Sequence, residues 1–142
     1  MNEGTENLPN PDGMGLKILI AEDDEVSGLL ISLAVKVFCQ KVLKATNGVE
    51  TVEICRNSPD LDFILMDIKM PEMDGYEATR KIREFNKDVI IIAQTAYALV
   101  GDREKALAAG CNDYIAKPFG QALLTTLMLK YIKKQWNGGN IM

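Results

Sequence analysis

"ILMDIKMPEMDG", residues 64–75, begins greasy and ends as a turn, with a carboxylate between the two. Asp67 follows four apolar residues, Phe63 to Met66, and so closes a stretch that reads as a buried strand. Desolvating a carboxylate there is costly unless a partner compensates it. A proline-containing, methionine-rich turn follows at once. "DGYEATRKIREF" (74–85) then reads as a helix, with Asp74 as N-cap and Glu77 as its capping-box partner. The chain thus passes from strand to charged strand end, through a turn, into a helix.

The same unit recurs on both sides. "KILIA" (17–21) is a strand, and "EVSGLLISLAVKVF" (25–38) a helix in which Val26, Leu29, Leu30, Leu33 and Val37 recur at helical spacing. "KVLKAT" (41–46) is a strand, and "GVETVEICRNS" (48–58) a helix stopped before Pro59. "DFILM" (62–66) precedes Asp67. "VIIIAQ" (89–94), a helix over 98–110 ending at Gly110, "DYIAK" (113–117) and a closing helix over 120–136 complete the series. The closing helix ends basic, which suits its dipole, and its stripe Leu123, Leu124, Leu127 and Ile132 is expected in the core. Central strands that are apolar throughout belong to parallel sheets covered on both faces. The fold expected is α/β: a single doubly wound five-stranded parallel sheet with helices on both faces. Residues 1–15 read as a flexible N-terminal segment, 16–136 as the domain and 137–142 as a flexible tail.

The bulk properties narrow the function. A length of 142 residues suits one domain, and 47% hydrophobic with 25% charged residues supports a real core. A net charge of −4 with interspersed signs argues against direct nucleic-acid binding and against contact with an anionic membrane. No apolar run is long enough to span a bilayer, and the N-terminus lacks the regions of a signal peptide, so a cytoplasmic location is expected, alone or as the cytoplasmic part of a sensor. Cys39, Cys55 and Cys111 lie far apart in apolar surroundings and read as small hydrophobes. There is no histidine, which excludes His-based triads and any phosphohistidine on this chain.

Parallel strands place all their C-terminal ends at one edge. Strand one ends in Glu22, Asp23, Asp24 and Glu25, strand three at Asp67, strand four at Gln94 and Thr95, and strand five at Lys117-Pro118. Clustered carboxylates repel one another, and a divalent cation is the simplest remedy. With oxygen donors and no His, the ion expected is hard: Mg²⁺, or Mn²⁺ in its place. Lys117 and Thr95 add an ammonium and a hydroxyl, making a receptacle for a phosphoryl group. Asp67, central and flanked by the rest, is the candidate nucleophile, forming an aspartyl phosphate.

"ILIAEDDEVSGLL", "ILMDIKMPEMDGYEATRKIR", "IIAQTA" and "GCNDYIAKPF" resemble, in order and spacing, the receiver domain of two-component response regulators, a flavodoxin-like fold. The resemblance covers roughly residues 17–136. It implies Asp67 as phosphoacceptor, and Glu22, Asp23, Asp67 and the main-chain carbonyl of Lys69 around the metal. It implies Thr95 and Lys117 on the phosphoryl group, a cis Lys117-Pro118 bond, and Thr95 and Tyr114 as the switch pair. Asp24 falls outside the metal shell. The partner implied is a histidine kinase or phosphotransfer domain carrying phosphohistidine. A homodimer through the fourth helix, fifth strand and fifth helix is left open. Such a domain catalyses only its own phosphorylation and dephosphorylation, although "AQTAYAL" and "AGCNDYIAKPF" look closer to receivers of hybrid histidine kinases. Lys69 and Tyr97 lie where the family tunes phosphate lifetime.

Three rivals fit less well. A haloacid-dehalogenase-like phosphohydrolase needs a second Asp two residues after the nucleophile, where Lys69 stands. A flavodoxin-like electron carrier needs hydroxyls and glycines where "AEDDEVS" is acidic. A dinucleotide-binding domain needs GxGxxG after the first strand, and none is present.

Overall fold

The computed structural model describes residues 15–96 and 100–140, the last eight by backbone alone. The chain runs β1 (Leu16–Ala21), α1 (Glu25–Val35), a 3₁₀ turn (Lys36–Phe38), β2 (Cys39–Ala45), α2 (Gly48–Asn57) and β3 (Phe63–Asp67). It continues with α3 (Gly75–Arg83), β4 (Ile90–Thr95), α4 (Asp102–Ala109), β5 (Asp113–Ala116) and α5 (Gln121–Asn140). The strands form one parallel sheet in the order β2-β1-β3-β4-β5. The doubly wound α/β sheet is therefore as expected, with β3 at its centre.

Alternation along each strand sends neighbouring side chains to opposite faces. Leu19, Ile64, Met66, Ile91 and Ala93 pack with Val52, Cys55, Ala78, Ile82 and Ala106, so α2, α3 and α4 cover one face. Ile18, Ile20, Phe63, Leu65 and Ile92 pack with Ile31, Val35, Leu124, Met128 and Ile132, so α1 and α5 cover the other. Burial on both sides explains why the strands carry no polar alternation. At the N-terminal edge, Arg83 donates to the Gly110 carbonyl at 2.9 Å and to Asn112 Oδ1 at 2.8 Å, tying α3 to the loop before β5.

Several details differ from expectation. α1 does form, but Val26, Leu29, Leu30, Leu33 and Val37 all face solvent, while Gly28, Ile31 and Val35 face the core. The helix is apolar on two faces, and the spacing had picked out the outer one. Leu123 likewise is exposed, whereas Leu124 and Ile132 are buried. α4 starts at Asp102, later than the helix expected from residue 98, because Gly101 sits in the left-handed region at φ 90°. Residues 97–99, and with them Tyr97, lie outside the described residues, as do residues 1–14 of the expected N-terminal segment and residues 141–142 of the expected tail. α5 runs on to Asn140, beyond the expected end at 136.

Candidate functional site

The acidic site grows out of two adjacent strand ends. The Glu22 N–H donates to the Ala45 carbonyl at 3.0 Å, extending the β1–β2 ladder by one residue and fixing where the acidic run begins. Asp24 leaves that run to cap α1, accepting from the Ser27 N–H at 2.8 Å. One strand over, Asp67 is the last residue of β3, in register with Gln94 of β4. Beyond Asp67 the chain turns sharply: the Ile68 N–H donates to the Gln94 carbonyl at 3.1 Å and the Gly75 N–H returns to the Ile68 carbonyl at 2.8 Å. A side chain at Gly75 would place its Cβ 2.3 Å from the Asp67 carbonyl, so only glycine lets the loop close.

Oxygen atoms of Glu22, Asp23 and Asp67 all lie within 4.8 Å of one another. Glu22 and Asp67 are only 5% and 6% exposed, so water screens them poorly, whereas Asp23 reaches solvent. The Lys117 ammonium bonds to Glu22 Oε1 and stands 3.6 Å from Asp67 Oδ1. One ammonium does not balance three carboxylates. Burial pushes the Asp67 carboxyl up to about 7, with the Glu22 charge adding to the rise and Lys117 pulling against it. Three clustered hard oxygens, one of them already reluctant to ionise, fit a Mg²⁺-like dication, and the main-chain carbonyl of Lys69 is two residues beyond Asp67.

The remaining predicted residues lie on the next two strands, β4 and β5, and just beyond β5. Thr95 ends β4, is buried, and its carbonyl accepts the Lys117 N–H at 2.7 Å. That bond places Lys117 at the same edge, and the Lys117-Pro118 peptide is cis. Tyr114 sits half-buried on β5, in register with Ala93. Burial and the Asp102 carboxylate hold its phenol above the ordinary range. The structure therefore brings Glu22, Asp23, Asp67 and Lys117 into one cluster, with Thr95 at the end of β4 accepting the Lys117 N–H and Tyr114 on β5, three residues before Lys117.

Residues 18–129 match the family model of the response regulator receiver domain. The chain belongs to this family. The receiver domain is 35% identical over 137 residues to the sensor histidine kinase CheAY of Helicobacter pylori, a match covering 94% of this chain and 17% of the relative. Among solved structures it is similar to the receiver domain of sensor histidine kinase PA1611 from Pseudomonas aeruginosa, which has a magnesium ion coordinated in its active-site cleft. That match has 40% identity and a TM-score of 0.74, covering 84% of this chain and 98% of the other. It is also similar to the Saccharomyces cerevisiae receiver domain of Ssk1, solved with the histidine phosphotransfer protein Ypd1. There the identity is 32% and the TM-score 0.72, covering 78% and 84%. The receiver domain spans under a fifth of the length of the curated relatives it matches. Among the described residues, no helix is long and apolar enough to cross a membrane.

A groove of about 200 Å³ adjoins the acidic cluster. Ser27, Leu30, Ile31 and Ala34 of α1 form one wall, and Lys117, Pro118 and Phe119 the other. The exposed stripe of α1 leads into it. The periodicity of the sequence located the stripe without showing that it faces outward.

Proposed function

We propose that this receiver domain takes a phosphoryl group from a phosphohistidine onto Asp67, and that the convergence of Glu22, Asp23 and Asp67 within 4.8 Å, opposed by Lys117, carries that reading. Asp67 Oδ attacks phosphorus in line with the imidazole nitrogen; the P–O bond forms, the P–N bond breaks, and its electron pair leaves with the imidazole. Asp23, Asp67, the Lys69 carbonyl and Glu22 would hold Mg²⁺, with Mn²⁺ able to substitute. When bound, the ion offsets the charge on the phosphoryl oxygens. Lys117 pairs with the product phosphate. Thr95 bonds it from the end of β4, and Tyr114 follows Thr95 to reshape the face made by α4, β5 and α5. That face is where an output partner or a second copy would meet the domain.

The donor is a histidine kinase or phosphotransfer domain, since this chain has no histidine. Its docking surface is the exposed stripe of α1, whose Leu30 lines the same groove as Lys117. The domain occupies residues 16–136 and works in the cytoplasm, alone or within a longer kinase. Incubation with acetyl phosphate and Mg²⁺ tests the assignment by intact mass. One base-labile phosphoryl group is expected, absent in Asp67→Asn and absent with chelator; a label that survives either change refutes it.

A further inference from the structure

Two glycines touch the loop that follows Asp67, and only one of them belongs to it. Gly48 opens α2, on a different element. A Cβ on Gly48 would lie 2.0 Å from the Met73 carbonyl oxygen and 2.7 Å from its carbon, where real Cβ atoms do not come within 3.0 Å. The first turn of α2 therefore abuts, backbone to backbone, the far limb of the loop whose near limb carries Lys69. We infer that Gly48 is a positioning residue for the metal site, fixing the loop so that the Lys69 carbonyl is presented beside Asp67. This rests on the metal-dependent reading above.

The two sides of that contact differ in stiffness. Asn47 Oδ1 accepts from the Glu50 N–H at 2.7 Å, and Glu50 Oε1 in turn accepts from the Thr46 N–H at 2.7 Å. The Thr51 hydroxyl, fully buried, donates to the Asn47 carbonyl at 2.7 Å. The helix start is thus clamped by a reciprocal cap and an internal tie. The loop is the softer side. Lys69, Pro71 and Glu72 are exposed, and Glu72 holds φ at 70°, in the left-handed region. The loop is held by its closing bond at Ile68–Gly75, by the Met73 N–H donating to the Pro71 carbonyl at 2.7 Å and by the buried Met70, and Gly48 meets it from outside. A methyl group at position 48 must displace something by about 1 Å, and the loop yields before the capped helix does. Shifting a group that orients a metal ligand, without touching the ligand itself, commonly weakens the metal tenfold to a hundredfold.

The test is Mg²⁺ affinity by titration calorimetry on three proteins: wild type, Gly48→Ala and Cys55→Ala. Cys55 is buried on α2 about 10 Å further along the helix, so its truncation loosens α2 away from the Gly48–Met73 contact. Gly48→Ala should weaken Mg²⁺ by about tenfold or more, with Asp67 labelling restored at high Mg²⁺, while Cys55→Ala binds as wild type does. Unchanged affinity in Gly48→Ala, or equal weakening in both variants, overturns the inference. Should Gly48→Ala fail to fold, Asn47→Ala loosens the same abutment from the helix side, and its Mg²⁺ affinity must fall in the same direction, by a smaller factor. Unchanged affinity in Asn47→Ala then overturns it. Failure of the wild type itself to be labelled at Asp67 would instead sink the functional reading.

Discussion

Neutralising Asp67 should make the metal-free domain more stable. Asp67→Asn removes one of three carboxylates that share a 4.8 Å cluster, and burial opposes the ionisation of the one it removes. The gain in chelator at pH 8 is expected to be about 2 kcal/mol, read as a raised urea midpoint. Its sign follows from the folded-state pKa, which is raised to about 7. Below the ordinary carboxylate range, Asp67 is protonated in both states and the substitution brings no gain. Between that range and about 7 the unfolded chain ionises while the folded protein keeps its proton, so the gain grows. It reaches its full value above about 7, where the folded protein must hold an unwelcome charge. A midpoint that falls, or a gain that does not depend on pH, contradicts this account of the site. Asp67 was legible in the sequence because an acid after four apolar residues needs a reason. Gly48 was not, since nothing in "NGVE" shows that a carbonyl 25 residues onward rests against it.

Helix α1 presents two apolar faces, and its outer one has work to do at the level of the element. Leu30 is 61% exposed and Leu33 57%, with no charged residue between them. Leu30→Asp should slow phosphoryl transfer from a phosphohistidine-bearing protein by about tenfold or more, the cost of a desolvated charge in an apolar contact. Labelling by acetyl phosphate, which needs no docking, should be unchanged. Equal loss with both donors would place the effect inside the site instead. The sequence predicted this helix correctly and left its orientation open, because Gly28, Ile31 and Val35 are as apolar as the stripe opposite. The start of α4 was missed for a simpler reason: Gly101 takes a left-handed conformation that no hydrophobic period records.

At the scale of the whole molecule, the sheet order β2-β1-β3-β4-β5 places every functional strand end along one edge. Continuous apolar strands and regular alternation with helices made the doubly wound parallel sheet readable before any coordinate was known, but not the order of its strands. Binding at that edge should stabilise the fold it depends on. Mg²⁺ at a hundredfold excess over its dissociation constant adds about 2.7 kcal/mol, which corresponds to a rise in melting temperature of about 5–10 °C. Asp23→Ala should lose most of that rise; a full rise in this variant would move the ion to another place. The distance between strand ends was the part the sequence left blank, and Lys117 shows why it matters. Its ammonium lies on Glu22, 95 residues away in the chain, and beside Asp67. The domain therefore carries its own resident counter-ion. Any dication entering among those oxygens competes with a charge already in place, so its net affinity is the difference between two attractions. The displaced amine is then left facing whatever anion Asp67 comes to bear.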